Sequence, residues 1–211
     1  MVLIEFLIDG GPVMIPIGLA SAVALGAFAE RVFALQRSRI VPHSFTVEIT
    51  ELINQGRVAD AITACRKAET PIARIVEVTL LGRGQTRSEI KVRIEELGRR
   101  EAAELERYAQ VIGTIASITP LLGLLGTVWG MILTFQVIQD QGLGQIASLA
   151  GGISQALITT LAGLTAGIPA LIAYRWVIGR ADELVLEMEE ASLSVLDLIT
   201  ELPPDDEEEA A

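Results

Sequence analysis

The chain has 211 residues, 51% of them hydrophobic and 20% charged, with a formal net charge of −11, a single histidine and a single cysteine. A mean hydropathy of +0.49 excludes an ordinary soluble domain and points to membrane-spanning segments. The acidic balance offers no basic face for nucleic acid, and one cysteine excludes an intrachain disulfide.

From the N-terminus, Gly10 to Ala29 carries no charge. A helix needs about 20 residues, at about 1.5 Å each, to cross a hydrocarbon core. Ala27-Phe28-Ala29 imitates a signal-cleavage site, but a secretory signal starts positive, and here Glu5 and Asp9 precede the first base, Arg31. The segment reads as a retained first span over residues 12–35, behind a short N-terminus of residues 1–11.

Residues 36–107 read as a helical region. Val47, Ile49, Leu52 and Ile53 form one amphipathic pattern ending near Gly56, and Val58, Ala61, Ile62 and Cys65 form a second. A third starts at Pro71, a favoured first helical position, and stops before Gly82 and Gly84. Cys65 therefore reads as a buried helix residue and not a reactive thiol. Thr86-x-x-Glu89 is a capping-box pattern opening a long helix with no proline before Pro120. Opposite charges three or four apart, such as Glu89 with Arg93 and Glu95 with Arg99, lace its first part. Such a helix would run unbroken into the second span.

Tyr108 to Gln139 and Gln141 to Tyr174 contain no charged residue, and only Asp140 separates them. Each is long enough to span. They give a second span at residues 108–138, a turn at 139–146 and a third span at 147–175. Helical patterning continues over 176–200, and an acidic tail of 201–211 follows Pro203-Pro204 as a solvated end. Fourteen of the 16 Lys and Arg residues lie between Arg31 and Arg107, and the others are Arg175 and Arg180. Basic residues stay on the cytoplasmic side. The N-terminus and the Asp140 turn are therefore expected outside, and residues 36–107 and the C-terminus inside.

The two long spans are rich in small and hydroxyl residues. Ala116, Thr119, Gly123, Gly126, Thr127, Gly130 and Thr134 recur at helical spacing on the second. On the third, Ala156, Thr160, Gly163 and Gly167 share a face, with Ser148, Gln155 and Thr159 on or near another. Gly126-x-x-x-Gly130 and Gly163-x-x-x-Gly167 permit close helix approach, so Gly123, Gly126, Gly130, Gly163 and Gly167 read as packing positions. Thr119, Thr127, Thr134, Ser148, Gln155, Thr159 and Thr160, with Ser154 and Thr165 nearby, could make a wet, hydrogen-bonding wall. No Asp, Glu, His, Lys or Arg lies within these stretches. A proton relay needs a titratable side chain. If protons pass, a partner must supply the carboxylate. His43 is a lone loop residue after Pro42, and no convergent catalytic set, metal cluster or phosphate-binding loop is present, so neither enzyme activity nor a cofactor nor a metal is expected.

Pro120-Leu121-Leu122-Gly123-Leu124-Leu125-Gly126-Thr127-Val128-Trp129-Gly130-Met131 resembles the second-span motif of the ExbB/TolQ/MotA proton-channel family. Gly152-Ile153-Ser154-Gln155-Ala156-Leu157-Ile158-Thr159-Thr160, then Gly163-Leu164 and Ile168-Pro169-Ala170, resembles its third-span motif. The likeness covers almost the whole chain and is greatest to the ExbB and TolQ branches. It implies an all-α integral membrane protein of the bacterial inner membrane, with three spans and long cytoplasmic helical extensions. It also implies a homopentamer around a pore that holds a dimer of an ExbD/TolR-type single-span partner. An Asp on that partner would carry the proton, and motion would pass to TonB or a related transmission protein. The family's pore-facing threonines map onto Thr127 and Thr160, to hydrogen-bond water or the partner's carboxylate. Where many ExbB and TolQ proteins carry Glu in the third span, this chain has Gln155, which bonds but does not titrate. Competing readings are a TolQ-like or gliding-type motor subunit, and a structural scaffold that binds membrane lipids without conducting protons.

Overall fold

The computed structural model describes residues 9–141 and 146–201, with side chains described for 9–140 and 149–200. Among the described residues every regular element is helical: α1 (Met14–Ala34), α2 (Arg37–Ile40), α3 (His43–Asn54), α4 (Val58–Ala68), α5 (Pro71–Leu81), α6 (Arg87–Leu105), α7 (Ala109–Gln141) and α8 (Ile146–Glu201). The chain divides into two compact units. One comprises the described parts of Met1–Arg31 and Tyr108–Val177, the other those of Val32–Arg107 and Ile178–Ala211.

The first unit holds the apolar helices. Three helices are long and apolar enough to cross a membrane: α1, α7 and the Leu149–Thr200 part of α8. Their large side chains point outward. Ile15 and Leu19 on α1, Leu121 and Phe135 on α7, and Leu157 and Ile172 on α8 are each more than half exposed. An apolar surface of this extent is a membrane or subunit contact, not a water-facing one. Beside the large Met14, Ile17, Ile112 and Val177, much of what the unit buries is small: Ala24, Ala109, Ala116, Ala156 and Ala170. Pro120 lies inside α7. It has no N–H for the carbonyl of Ala116, and that carbonyl lies against Gly167 of α8.

The second unit is a bundle with an ordinary apolar core. α4 packs on α3 and α5, and α5 on α6. Ile49, Ile53, Ala61, Ile72, Ile75, Leu80 and Ile94 are almost fully buried, as are Leu184, Met188 and Leu196 of α8. The amphipathic patterns at 43–54, 58–68 and 71–81 thus form the helices the sequence predicts, with Pro71 in the first turn of α5. Thr86 forms its capping box: its side chain accepts from the N–H of Glu89, whose carboxylate accepts from the Thr86 N–H at 3.0 Å. Arg74 donates from Nε and Nη2 to the two carboxylate oxygens of buried Glu101, at 2.7 and 2.5 Å. Short α2 was not expected from the sequence.

One expectation is corrected. The helix opened at Thr86 does not continue into the second span. α6 ends at Leu105 and α7 starts at Ala109, because Tyr108 adopts φ 67°. A left-handed residue cannot continue a right-handed helix, and for tyrosine that conformation is uncommon. Its ring is held beneath the guanidinium of Arg31, 5.3 Å from the centroid.

Candidate functional site

Gly123, Gly126, Gly130, Gly163 and Gly167, with Thr119, Thr134 and Thr159, meet along one seam between α7 and α8, which run antiparallel within the first unit. Glycine at each crossing lets the backbones touch. A Cβ at Gly123 would lie 3.0 Å from the Thr159 carbonyl and 3.3 Å from the Gly163 Cα; one at Gly163 would lie 2.8 Å from the Thr119 carbonyl and 2.9 Å from the Gly123 Cα. Gly126 lies on Thr159, Gly130 on Gly152 and Ala156, and Gly167 on Pro120. No side chain larger than hydrogen fits at these crossings without moving a helix.

The threonines separate into two groups. Thr119, Thr134 and Thr159 are 0%, 5% and 1% exposed, so they sit inside the seam. Their hydroxyls donate to carbonyls of their own helices, Thr119 to Ile115 at 2.5 Å, Thr134 to Gly130 at 2.9 Å and Thr159 to Ala156 at 2.9 Å. Thr127 and Thr160 are half-buried and flank the contact of Gly126 with Thr159. Thr127 donates to the Leu124 carbonyl at 2.6 Å. Thr160 instead crosses the seam and donates to the carbonyl of Gly123 at 3.3 Å. Each of these two hydroxyls keeps acceptor capacity at the seam's open edge.

Gln155 is half-buried on α8, and its carboxamide Nε2 lies against Gly11, which adopts φ 70°. It meets the start of the first span and not the seam. Ser148 lies in α8, but its side chain is outside the described residues. Thr165 lines a groove between α8 and α1, on another side of α8 from the seam. It does not join the hydroxyl wall the sequence suggests.

Among the described residues, no group of three His, Cys, Asp or Glu is placed to hold a metal ion. In the second unit, Cys65 is buried. Burial first, then the nearby Glu77, pushes its thiol up to about 12 from 9.0, so it is not a poised nucleophile. Two features beside the spans carry no signal in the sequence. Tyr108 breaks the helix without a glycine or proline to mark it. Arg31, 7% exposed, lies at the end of α1 in a two-bond pair with Glu30.

The profile of the MotA/TolQ/ExbB proton channel family matches residues 67–190. The chain is 31% identical over 181 residues to an ExbB-like biopolymer transport protein of Synechocystis sp., which spans 82% of this chain and 69% of that protein. It is 31% identical over 173 residues to the biopolymer transport protein ExbB of Salmonella typhimurium, 77% of this chain and 70% of that one. A shorter stretch of 86 residues, 41% of this chain and 37% of the other, is 40% identical to the Tol-Pal system protein TolQ of Pseudomonas aeruginosa.

Proposed function

Because the chain belongs to the MotA/TolQ/ExbB proton channel family, we propose that it is the pore-forming subunit of a proton-driven motor in the bacterial inner membrane. In this reading several copies, a pentamer by family resemblance, surround a lumen edged by Thr127 and Thr160. Thr119, Thr134 and Thr159 form the wall behind, holding α7 on α8. The proton-carrying carboxylate comes from an ExbD/TolR-type single-span partner. The N-terminus is periplasmic and the second unit cytoplasmic, as the distribution of Lys and Arg favours.

The observation that carries this reading is the pairing of an uncharged span with two edge hydroxyls. From Ala109 to Gln139 and from Leu149 to Tyr174 the described residues include no Asp, Glu, His, Lys or Arg, while Thr127 and Thr160 stand half-buried at the seam's edge. Such a wall can orient water or accept a carboxylic acid but cannot store a proton. Gln155 fits the same logic, since an amide keeps hydrogen bonds and has no charge to change. Output through TonB is the favoured use, and the TolQ-like stretch makes a Tol-type output the second one.

The test replaces each edge hydroxyl while keeping its shape. Thr127→Val and Thr160→Val, co-expressed with the single-span partner, should assemble normally and lose about tenfold or more in proton-dependent activity, since a hydrogen bond to an ionic group is worth about 1.5–3 kcal/mol. Thr134→Val, whose hydroxyl is buried inside the seam, should lose much less. Full activity in both edge variants contradicts the proposal.

A further inference from the structure

The first unit carries two basic residues, Arg31 on α1 and Arg175 on α8. Both lie at the same end of the spans, because Phe28, one turn before Arg31, meets Trp176, the residue after Arg175, edge to face with ring centroids 5.7 Å apart. Each guanidinium lies over a tyrosine ring, Arg31 5.3 Å from the Tyr108 centroid and Arg175 6.0 Å from that of Tyr174. Their surroundings differ. Arg31 is buried and donates two bonds to Glu30. Arg175 is exposed, and among the described residues its fork meets a ring and no carboxylate. The turn that carries it is anchored on both sides. The Tyr174 ring packs on Gly113 of α7, where a Cβ would lie 3.0 Å from it, and Trp176 rests on Phe28 of α1.

What the fork takes follows from where it stands. A guanidinium pairs best with a carboxylate or a phosphate, through two parallel bonds. Of the first unit's described carboxylates, Asp9 and Asp140 belong to the opposite end of the spans and Glu30 is held by Arg31. Among the described residues, the first unit of a second copy therefore brings no unused carboxylate to this height. Phosphate is there in the membrane itself. Arg175 directly follows the charge-free stretch from Gln141 to Tyr174, and Tyr174 and Trp176 are of the residue types that gather at head-group level. Below the fork, three, four and seven residues into the span on the same face of α8, Ile172, Leu171 and Ile168 are 66%, 49% and 55% exposed. A cation above an open apolar stripe matches a molecule with an anionic head and a hydrocarbon tail, and a soluble anion leaves the stripe unused. We propose that Arg175 binds the phosphate of an anionic phospholipid, whose acyl chain runs down α8 over Leu171, Ile172 and Ile168.

Trp176 is a built-in reporter for this site. The full chain with Trp129→Phe, which leaves Trp176 as the single tryptophan, is reconstituted in phosphatidylcholine vesicles. These contain an equal fraction of either phosphatidylglycerol or phosphatidylcholine with brominated acyl chains, and the quenching of Trp176 emission is compared. Brominated phosphatidylglycerol should be enriched about fivefold at Trp176, the preference that one basic residue gives at an anionic surface. Arg175→Gln should abolish the enrichment, and Arg175→Lys, a point charge without the fork, should keep part of it. The chain with Trp176→Phe reports instead from Trp129, inside the charge-free stretch of α7, and should show no preference. Equal quenching of Trp176 by the two lipids, or a preference that survives Arg175→Gln, overturns the proposal. So does a preference that inorganic phosphate removes at matched ionic strength, because the fork would then take a soluble anion. An oligomer that Arg175→Gln dissociates overturns it too, because the fork would then bond another chain.

Discussion

Glycine is the residue that sets the spacing of the spans, and its effect differs from site to site. At Gly163 a Cβ would lie 2.9 Å from the Gly123 Cα and 2.8 Å from the Thr119 carbonyl; at Gly179 it would meet nothing within 4 Å. Backbone atoms cannot rotate away as a side chain's end can, so Gly163→Ala must part the helices, at a cost of about 1–3 kcal/mol. Gly179→Ala should gain up to about 1 kcal/mol from helix propensity. Unfolding midpoints of the two variants in one detergent should move in opposite directions. Gly163 was legible in the sequence from its four-residue spacing to Gly167. The hydroxyls were less so, because Thr119, Thr127 and Thr134 share one helical face and periodicity alone does not say which part a neighbour covers. Only the partner helix separates buried Thr134 from half-buried Thr127. Likewise, nothing local to Gln155 announces that Gly11, far away in the chain, packs against its carboxamide.

At the scale of elements, helix ends with a chemical marker were readable and those without one were not. Pro71 starts α5, and Thr86 with Glu89 starts α6, as their patterns predict. The end at Tyr108 had no such marker, since its positive φ belongs to the junction with Arg31 and not to any tyrosine preference. The capping box also gives α6 a pH dependence with a definite sign. Hydrogen bonds from the Thr86 backbone and side chain hold the Glu89 carboxyl below its usual range. A depressed acid stabilises the fold above its unfolded pKa, and that contribution disappears as the pH falls through its folded value. α6 should therefore fray at its start when the pH drops below the ordinary carboxylate range. Amide exchange over residues 87–92 should show this in the wild type, and Glu89→Gln should remove most of the pH dependence. Thr86→Ala should cost about 1 kcal/mol near neutral pH.

For the whole molecule, three apolar helices and a separate helical bundle were visible from charge placement and hydropathy alone, because crossing lipid tolerates so few alternatives. The assembly was not visible in that way. A single chain leaves wide apolar faces uncovered on α1, α7 and α8, and sequence periodicity does not say which of them meets lipid, a second copy or a partner. The central claim is that this chain supplies a hydrogen-bonding sleeve and borrows its acid. Proton flux into vesicles under an imposed gradient addresses it directly, with the chain reconstituted alone, with its single-span partner, and with that partner's membrane carboxylate changed to an amide. The account predicts flux only in the second case. A large gradient-driven flux through the chain alone, or undiminished flux after the partner's carboxylate is removed, would contradict it.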